Sequence, residues 1–309
     1  MYLRAVIIWI VSLGSLLFMA QASHAFVIAP SSIELEANRG EVVSGAVTIM
    51  NTSDVRQTYY LGTLKFEPRD EGGSPMFITY EEDHTGLPEW IAFSEESVSL
   101  LPDEFREVSF QVAVPADIAS GTHYAAVTVS RAPADIIPGG ATVEAKSAAL
   151  LFVDVLGETT EEVTLLDFGL TDSSWVSRLP ISFTYRLQNQ GNIAVVPDGW
   201  VELRYFAGES FMQRGANQEK GKLLPGATRS YKVVYEPADH LQGIDRFVKE
   251  HFRLWAPGPY IASLSLEYGE KGSINSESII WVIPWQTVTI LAILFLVILF
   301  LTKKKQRKK

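Results

Sequence analysis

Residues Glu107 to Val114 alternate, with Val108, Phe110, Val112 and Val114 on one side of the chain and Glu107, Ser109 and Gln111 on the other. A period of two is the side-chain repeat of an extended strand with one buried face. The same repeat returns at Ile181, Phe183, Tyr185 and Leu187, at Val201, Leu203 and Tyr205, and at Ala262, Leu264, Leu266 and Tyr268. Between these runs lie residues 51–54, 190–192, 225–226 and 257–259, rich in Asn, Asp, Ser, Pro and Gly, the residue types that make turns. Short strands punctuated in this way predict an all-β chain of sandwich type. One segment departs from the pattern. From Leu241 to Trp255 the apolar residues Ile244, Phe247, Val248, Phe252 and Trp255 fall near helical spacing, and Pro257 stops further extension.

The strands recur in order. Leu100, Leu101 and Pro102, ending in Arg106, return as Leu223, Leu224 and Pro225, ending in Arg229, and each copy leads into an alternating strand. Further on, Gly121 to Val129 matches Gly258 to Leu266, with one residue fewer between glycine and tyrosine. Upstream, strands ending in Asn51 and Asn189 both precede a polar turn. Three matches in the same order predict two copies of one sandwich unit, with insertions near residues 68–90 and 238–257 absorbing the unequal intervals. The boundary falls in the polar segment 157–161.

The two ends of the chain suggest a cellular address. Arg4, an apolar run from Ala5 to Leu17 and small residues at Ala20, Ala22, Ser23 and Ala25 form a signal-peptide layout, with cleavage after Ala22 or Ala25. Ile279 to Leu301 is uncharged and almost wholly apolar, and it precedes Lys303, Lys304, Lys305, Arg307, Lys308 and Lys309. The positive-inside rule then predicts a single membrane pass with a cytoplasmic tail, in which those cations and Arg4 set the topology and Trp281 and Trp285 anchor the outer interface.

The chain carries a net charge of −10, and it is more acidic still once Arg4 and the tail cations are set aside. Such a surface repels phosphate backbones, so nucleic acid is not an expected partner. With no cysteine there is no disulfide scaffold, thiolate zinc site, iron–sulfur cluster or thiol nucleophile. The histidines at 84, 123, 240 and 251 lack metal-ligand spacing, and nucleophile-elbow, P-loop and zinc-protease motifs are missing. Residues 69–71 and 81–84 are acidic but do not repeat the ligand pattern of a calcium loop, and read as solvated charge. Glu107, Glu202 and Glu267 read as outward-facing charges on strands, and Trp175, Trp200 and Trp255 as structural aromatics rather than a sugar platform. No catalytic, metal or cofactor residue is expected.

In this arrangement, Pro30 followed by Ile33 and Leu35, the strand ending at Asn51, the strand Trp90 to Phe93, Leu101 with Pro102, and Pro115 leading to Gly121 and Tyr124 are similar to the first domain of the WxL-interacting proteins of Gram-positive bacterial surfaces. The resemblance implies a surface-attachment role, with peptidoglycan or another surface protein as partner. The expectation is therefore an all-β chain of two tandem immunoglobulin-like β-sandwich domains at 26–157 and 158–283. A signal peptide at 1–25, a transmembrane helix at 284–302 and a basic cytoplasmic tail at 303–309 complete it. Its expected role is a non-enzymatic, membrane-anchored surface binding protein; the alternative is a membrane-tethered assembly factor or chaperone that binds clients by β-strand addition.

Overall fold

The computed structural model describes residues 26–306, apart from 79–81, 133–146, 174, 207, 209, 238–241 and 255. The expected signal peptide, with Arg4, lies outside the described residues, as do Arg307, Lys308 and Lys309.

The N-terminal part of the chain forms β1 (Phe26–Ala29), β2 (Ser32–Ala37), β3 (Val42–Asn51), β4 (Gln57–Pro68), β5 (Pro75–Ile78), β6 (Ile91–Phe93), β7 (Ser97–Leu100), β8 (Phe105–Ala113), β9 (Gly121–Ser130) and β10 (Ser147–Val155). One sheet runs β1-β3-β8-β6; the other runs β2-β10-β9-β4-β5, with β7 also paired to β4. The alternation at Val108, Phe110 and Val112 faces Val47 and Ile49 from the same sheet and Val127, Leu151 and Val153 from the other, all buried in one core. Each fully buried side chain of this size stabilises the fold by roughly 1.5–3 kcal/mol.

The C-terminal part repeats the plan. Its strands are β11 (Val163–Leu170), β12 (Trp175–Val176), β13 (Ile181–Asn189), β14 (Asp198–Tyr205), β15 (Ser210–Gly215), β16 (Thr228–Tyr235), β17 (Gly258–Tyr268) and β18 (Gly272–Val282). They form the sheets β11-β13-β16 and β12-β18-β17-β14-β15 around a second core that includes Phe183, Tyr185, Leu203 and Leu264. Tyr185 stacks on Tyr231 at 5.0 Å and donates to the Ala216 carbonyl at 3.1 Å, so its buried hydroxyl is satisfied. Both halves are two-sheet β-sandwiches, as the alternation and turn spacing predict.

The internal duplication has a physical basis. Asn51 and Asn189 are both fully buried. The Asn51 Nδ2 donates to the Leu100 and Leu101 carbonyls at 3.1 Å, and the Asn189 Nδ2 donates to the Leu223 carbonyl at 3.1 Å. Their own backbone carbonyls accept from Asp103 N (2.9 Å) and Gly226 N (3.0 Å), the positive-φ residues of the two Leu-Pro turns. In each sandwich one asparagine therefore ties the end of a central strand to a turn more than thirty residues away.

Two helices complete the chain. α1 (Gly243–Phe252) confirms the helical spacing read between Leu241 and Trp255, and leaves Ile244, Phe247 and Val248 exposed. α2 (Trp285–Gln306) covers the expected span, but no helix among the described residues is long and apolar enough to cross a membrane. The uncharged stretch of α2 from Trp285 to Leu301 rises about 26 Å and carries Gln286, Thr287 and Thr289 in its first turns, against a hydrocarbon core of about 30 Å. The single-pass anchor at 284–302, the membrane as partner and the cell-membrane localisation with a cytoplasmic tail are thus overturned. Trp281 lies exposed near the end of β18, Trp285 is exposed at the start of α2, Lys303 is exposed in its last turns, and Lys304 and Lys305 lie within that helix.

Candidate functional site

In each sandwich the first strand of one sheet continues into a strand of the opposite sheet. β1 pairs antiparallel with β3, and β2 then pairs parallel with β10; β11 pairs antiparallel with β13, and β12 then pairs parallel with β18. β2 covers β10 over six rungs, from Leu150↔Ser32 to Val155↔Ala37. β12 covers β18 over two, Trp175↔Trp281 and Val176↔Val282. The sequences explain the difference. Residues 32–37 alternate Ile33, Leu35 and Ala37 with glutamate, whereas residues 171–174 are Thr, Asp, Ser and Ser and supply no apolar partner for the sheet.

Backbone direction identifies the exposed polar groups. Ile283 N donates to the Val176 carbonyl at 2.8 Å, so Ile283 faces the β12 side. β18 keeps one unbroken register with β17 from Gly272 to Val282, which places the N–H and C=O groups of Asn275, Glu277 and Ile279 on that same side. Among the described residues no strand pairs with them there. In the first sandwich the corresponding amides are satisfied: Leu150 N donates to Ser31 O and Leu156 N to Ala37 O, each at 2.9 Å.

The other sheet edges are less receptive. β1, β5 and β6 are three or four residues long, β11 is irregular between Leu165 and Asp167, and the β14–β15 register shifts at Leu203. β2 carries Glu34 and Glu36, and Lys222 of the second sandwich ion-pairs with Glu34 at 2.9 Å. On β16, Ser230 N is engaged by the Glu71 carbonyl and the Val234 carbonyl accepts from Arg214 Nε.

Beside the open edge, Ile274, Ser276 and Ser278 turn half-buried toward the core, next to Phe168 and Leu170 of β11, which also pack only partly against it. On the opposite face, Ile279 and Trp281 are exposed, and Glu277 ion-pairs with Arg204 at 3.2 Å. The edge thus offers a backbone ladder flanked by a partly covered apolar rim.

A second concavity lies between the sandwiches. A cleft of about 420 Å³ is walled by Phe66, Leu150 and Phe152 from the first sandwich and by Lys222, Leu224 and Arg229 from the second. Lys222 Nζ sits 4.8 Å above the Phe152 ring. Arg229 Nη1 donates to the Lys222 carbonyl at 2.7 Å, while its buried Nε has no hydrogen-bond partner among the described residues.

The residues weighed for chemistry do not converge. No group of three or more His, Asp or Glu that could hold a metal occurs among the described residues. The His123 ring packs on Trp90 at 4.9 Å and His251 on Phe247 at 4.2 Å, in different sandwiches. Asp83 is held by Lys65 and Thr85, which keep its carboxyl below the usual range. Trp175 and Trp200 are separated by β17 and β18, and Trp255 lies outside the described residues. The acids near residue 70 are not merely solvated as expected, because Glu71 accepts two hydrogen bonds from Arg186 of the other sandwich. The open edge itself carries no motif; its one sequence signal is the missing alternation after Leu170.

No protein-family profile matches the chain, and no curated protein matches it. Solved structures similar to it include the class 5 fimbriae chaperone CfaA, at 14% identity and a TM-score of 0.40 over 84% of this chain and 100% of that one. The SafB chaperone of Salmonella enterica, solved with the SafA pilin, is similar at 8% identity and 0.39 over 84% and 99%. The Escherichia coli chaperone DraB is similar at 11% identity and 0.34 over 82% and 96%. These are chaperones and not WxL-interacting proteins, and no family profile matches, so that resemblance is overturned, together with the peptidoglycan and surface-protein partners it implied. At such scores the likeness carries no argument about activity.

Proposed function

We propose that this chain is a non-enzymatic assembly factor or chaperone that holds its client by adding a client strand to the open edge of β18. The observation that carries this reading is the unpaired edge at Asn275, Glu277 and Ile279, on the strand whose counterpart β10 is covered by the chain itself. Main-chain hydrogen bonds would give affinity, and alternate side chains of the client would give selectivity. A fitting client strand alternates, with small apolar residues turned toward Ile274, Phe168 and Leu170 and polar residues outward beside Glu277. In this reading residues 26–157 and 158–283 are two domains, the second of which is the client-binding one.

The test places a photo-crosslinking residue at Asn275, at Glu277 or, as control, at Glu36 in the full chain within its native cells. Client adducts are expected at 275 and 277 and not at 36, and they should be lost when Ile279→Pro removes one edge amide. Equal adducts at all three positions, or adducts indifferent to the proline, would overturn the reading.

A further inference from the structure

The two sandwiches meet through neutral hydrogen bonds beside the connecting segment and through ionic contacts, one of them the Lys222–Glu34 pair at 2.9 Å. The bonds across the first contact are uncharged. Thr122 N donates to the Asn192 carbonyl at 2.9 Å, and Ala194 N donates to Thr122 Oγ1 at 2.7 Å. The Asn192 side chain donates to the Ser120 and Glu158 carbonyls at 3.1 and 3.0 Å and accepts from Thr160 N at 2.7 Å. One side chain thus ties the first sandwich to the connecting segment, which it grips at two residues. The approach is close enough that a Cβ on Gly121, at φ +122°, would run into the Asn192 carbonyl.

The second contact is ionic, and the turn between β4 and β5 makes it. Glu71 accepts from Arg186 Nε at 2.6 Å and from Arg186 Nη2. The Glu71 carbonyl accepts from Ser230 N at 2.6 Å. Gly73, at φ +77°, leaves room for the Arg229 guanidinium where a Cβ would stand. Between the two contacts lie the cleft and a small apolar strip of Phe66, Ala126, Phe152 and Leu224.

We propose that this joint is a hinge with a clasp: the sandwiches swing about Asn192, and the Glu71 turn locks them closed over the cleft. Neutral hydrogen bonds beside the connecting segment hold in salt. The Glu71 and Arg186 side chains are 43% and 39% exposed, so their attraction is screened and separable. An apolar strip of four buried residues is too small to keep two sandwiches rigid unaided. The device is independent of strand addition at β18.

The absence of native cysteine allows two labels to be placed cleanly, through Met76→Cys on β5 and Lys232→Cys on β16, in the full chain. Pulsed electron-spin distance measurement should give one population in the otherwise unaltered chain. A second, longer population should appear in Glu71→Gln, in Arg186→Gln and in ~1 M NaCl, where the screening length falls to about 3 Å. The charge-swapped pair Glu71→Arg with Arg186→Glu should return the short population. Distances unchanged in both single variants would overturn the clasp, and so would a longer population that the swap fails to remove.

Discussion

The two sandwiches share one chain path, and they differ most at the strand that changes sheets. In the first, Ser32–Ala37 has enough alternation to run beside β10, so the edge of that sheet becomes a short strand bearing Glu34 and Glu36. In the second, a polar connection reaches the opposite sheet only at Trp175, and among the described residues most of β18 keeps its outer backbone groups unpaired. A six-residue segment thus decides whether a sheet is closed by its own chain or left to accept another. Exposed edges are ordinarily blunted, and the first sandwich follows that rule. The second departs from it along the most regular free edge among the described residues, which is why the proposed binding activity is placed there.

The comparison can be broken most forcefully at the duplicated asparagines. Asn51 makes its three Nδ2 bonds and also accepts from Ser53 N, Ser53 Oγ and Tyr59 OH, whereas Asn189 bonds to Ile193, Leu223 and Gly191. Asn51→Ala should cost about 4 kcal/mol and Asn189→Ala about 2 kcal/mol, since each buried partner left unsatisfied is penalised. Denaturant unfolding checks this, and equal costs would show that the two hubs are not graded by their partners. Next in size, Asp154→Pro removes an amide that faces β2 and should cost about 3 kcal/mol, while Glu277→Pro removes one that faces no strand and should cost under about 1 kcal/mol. Similar losses of stability in the two variants would mean that the β18 edge is covered.

The smallest effect concerns pH. The hydrogen bonds from Arg186 hold the Glu71 carboxyl below its ordinary value of 4.5. A depressed folded-state value means that the contribution is fully present above the ordinary value and is lost as pH falls through the lowered one. The difference in urea midpoint between the parent chain and Glu71→Gln should therefore be measurable at pH 7 and shrink progressively as the pH is taken below 4.5. A difference that persists in acid would remove the ion pair from the account.

Much of this architecture is legible in the residues. The alternations at 107–114, 181–187, 201–205 and 262–268 became β8, β13, β14 and β17, and the paired Leu-Pro turns became equivalent anchor points. Ile244, Phe247 and Val248 marked α1 correctly. What could not be read depends on partners distant in the chain. Glu71 and Arg186 are 115 residues apart, and an isolated acidic turn looks the same whether or not a guanidinium meets it. The open edge was equally hidden, because a strand's sequence records which face it buries and not whether a neighbour lies beside it. The expected membrane span counted Ile279 to Leu301 as one apolar run, but β18 takes Ile279 to Val282 and the helix begins only at Trp285, which leaves too short an apolar helix.

Amide hydrogen exchange on the full chain tests the central claim most directly. The amides of Leu150, Phe152 and Asp154 in β10 should be strongly protected, while those of Asn275, Glu277 and Ile279 in β18 should exchange freely until a client is bound and then slow. Equal protection of both sets in the chain alone would contradict an edge left open for a partner.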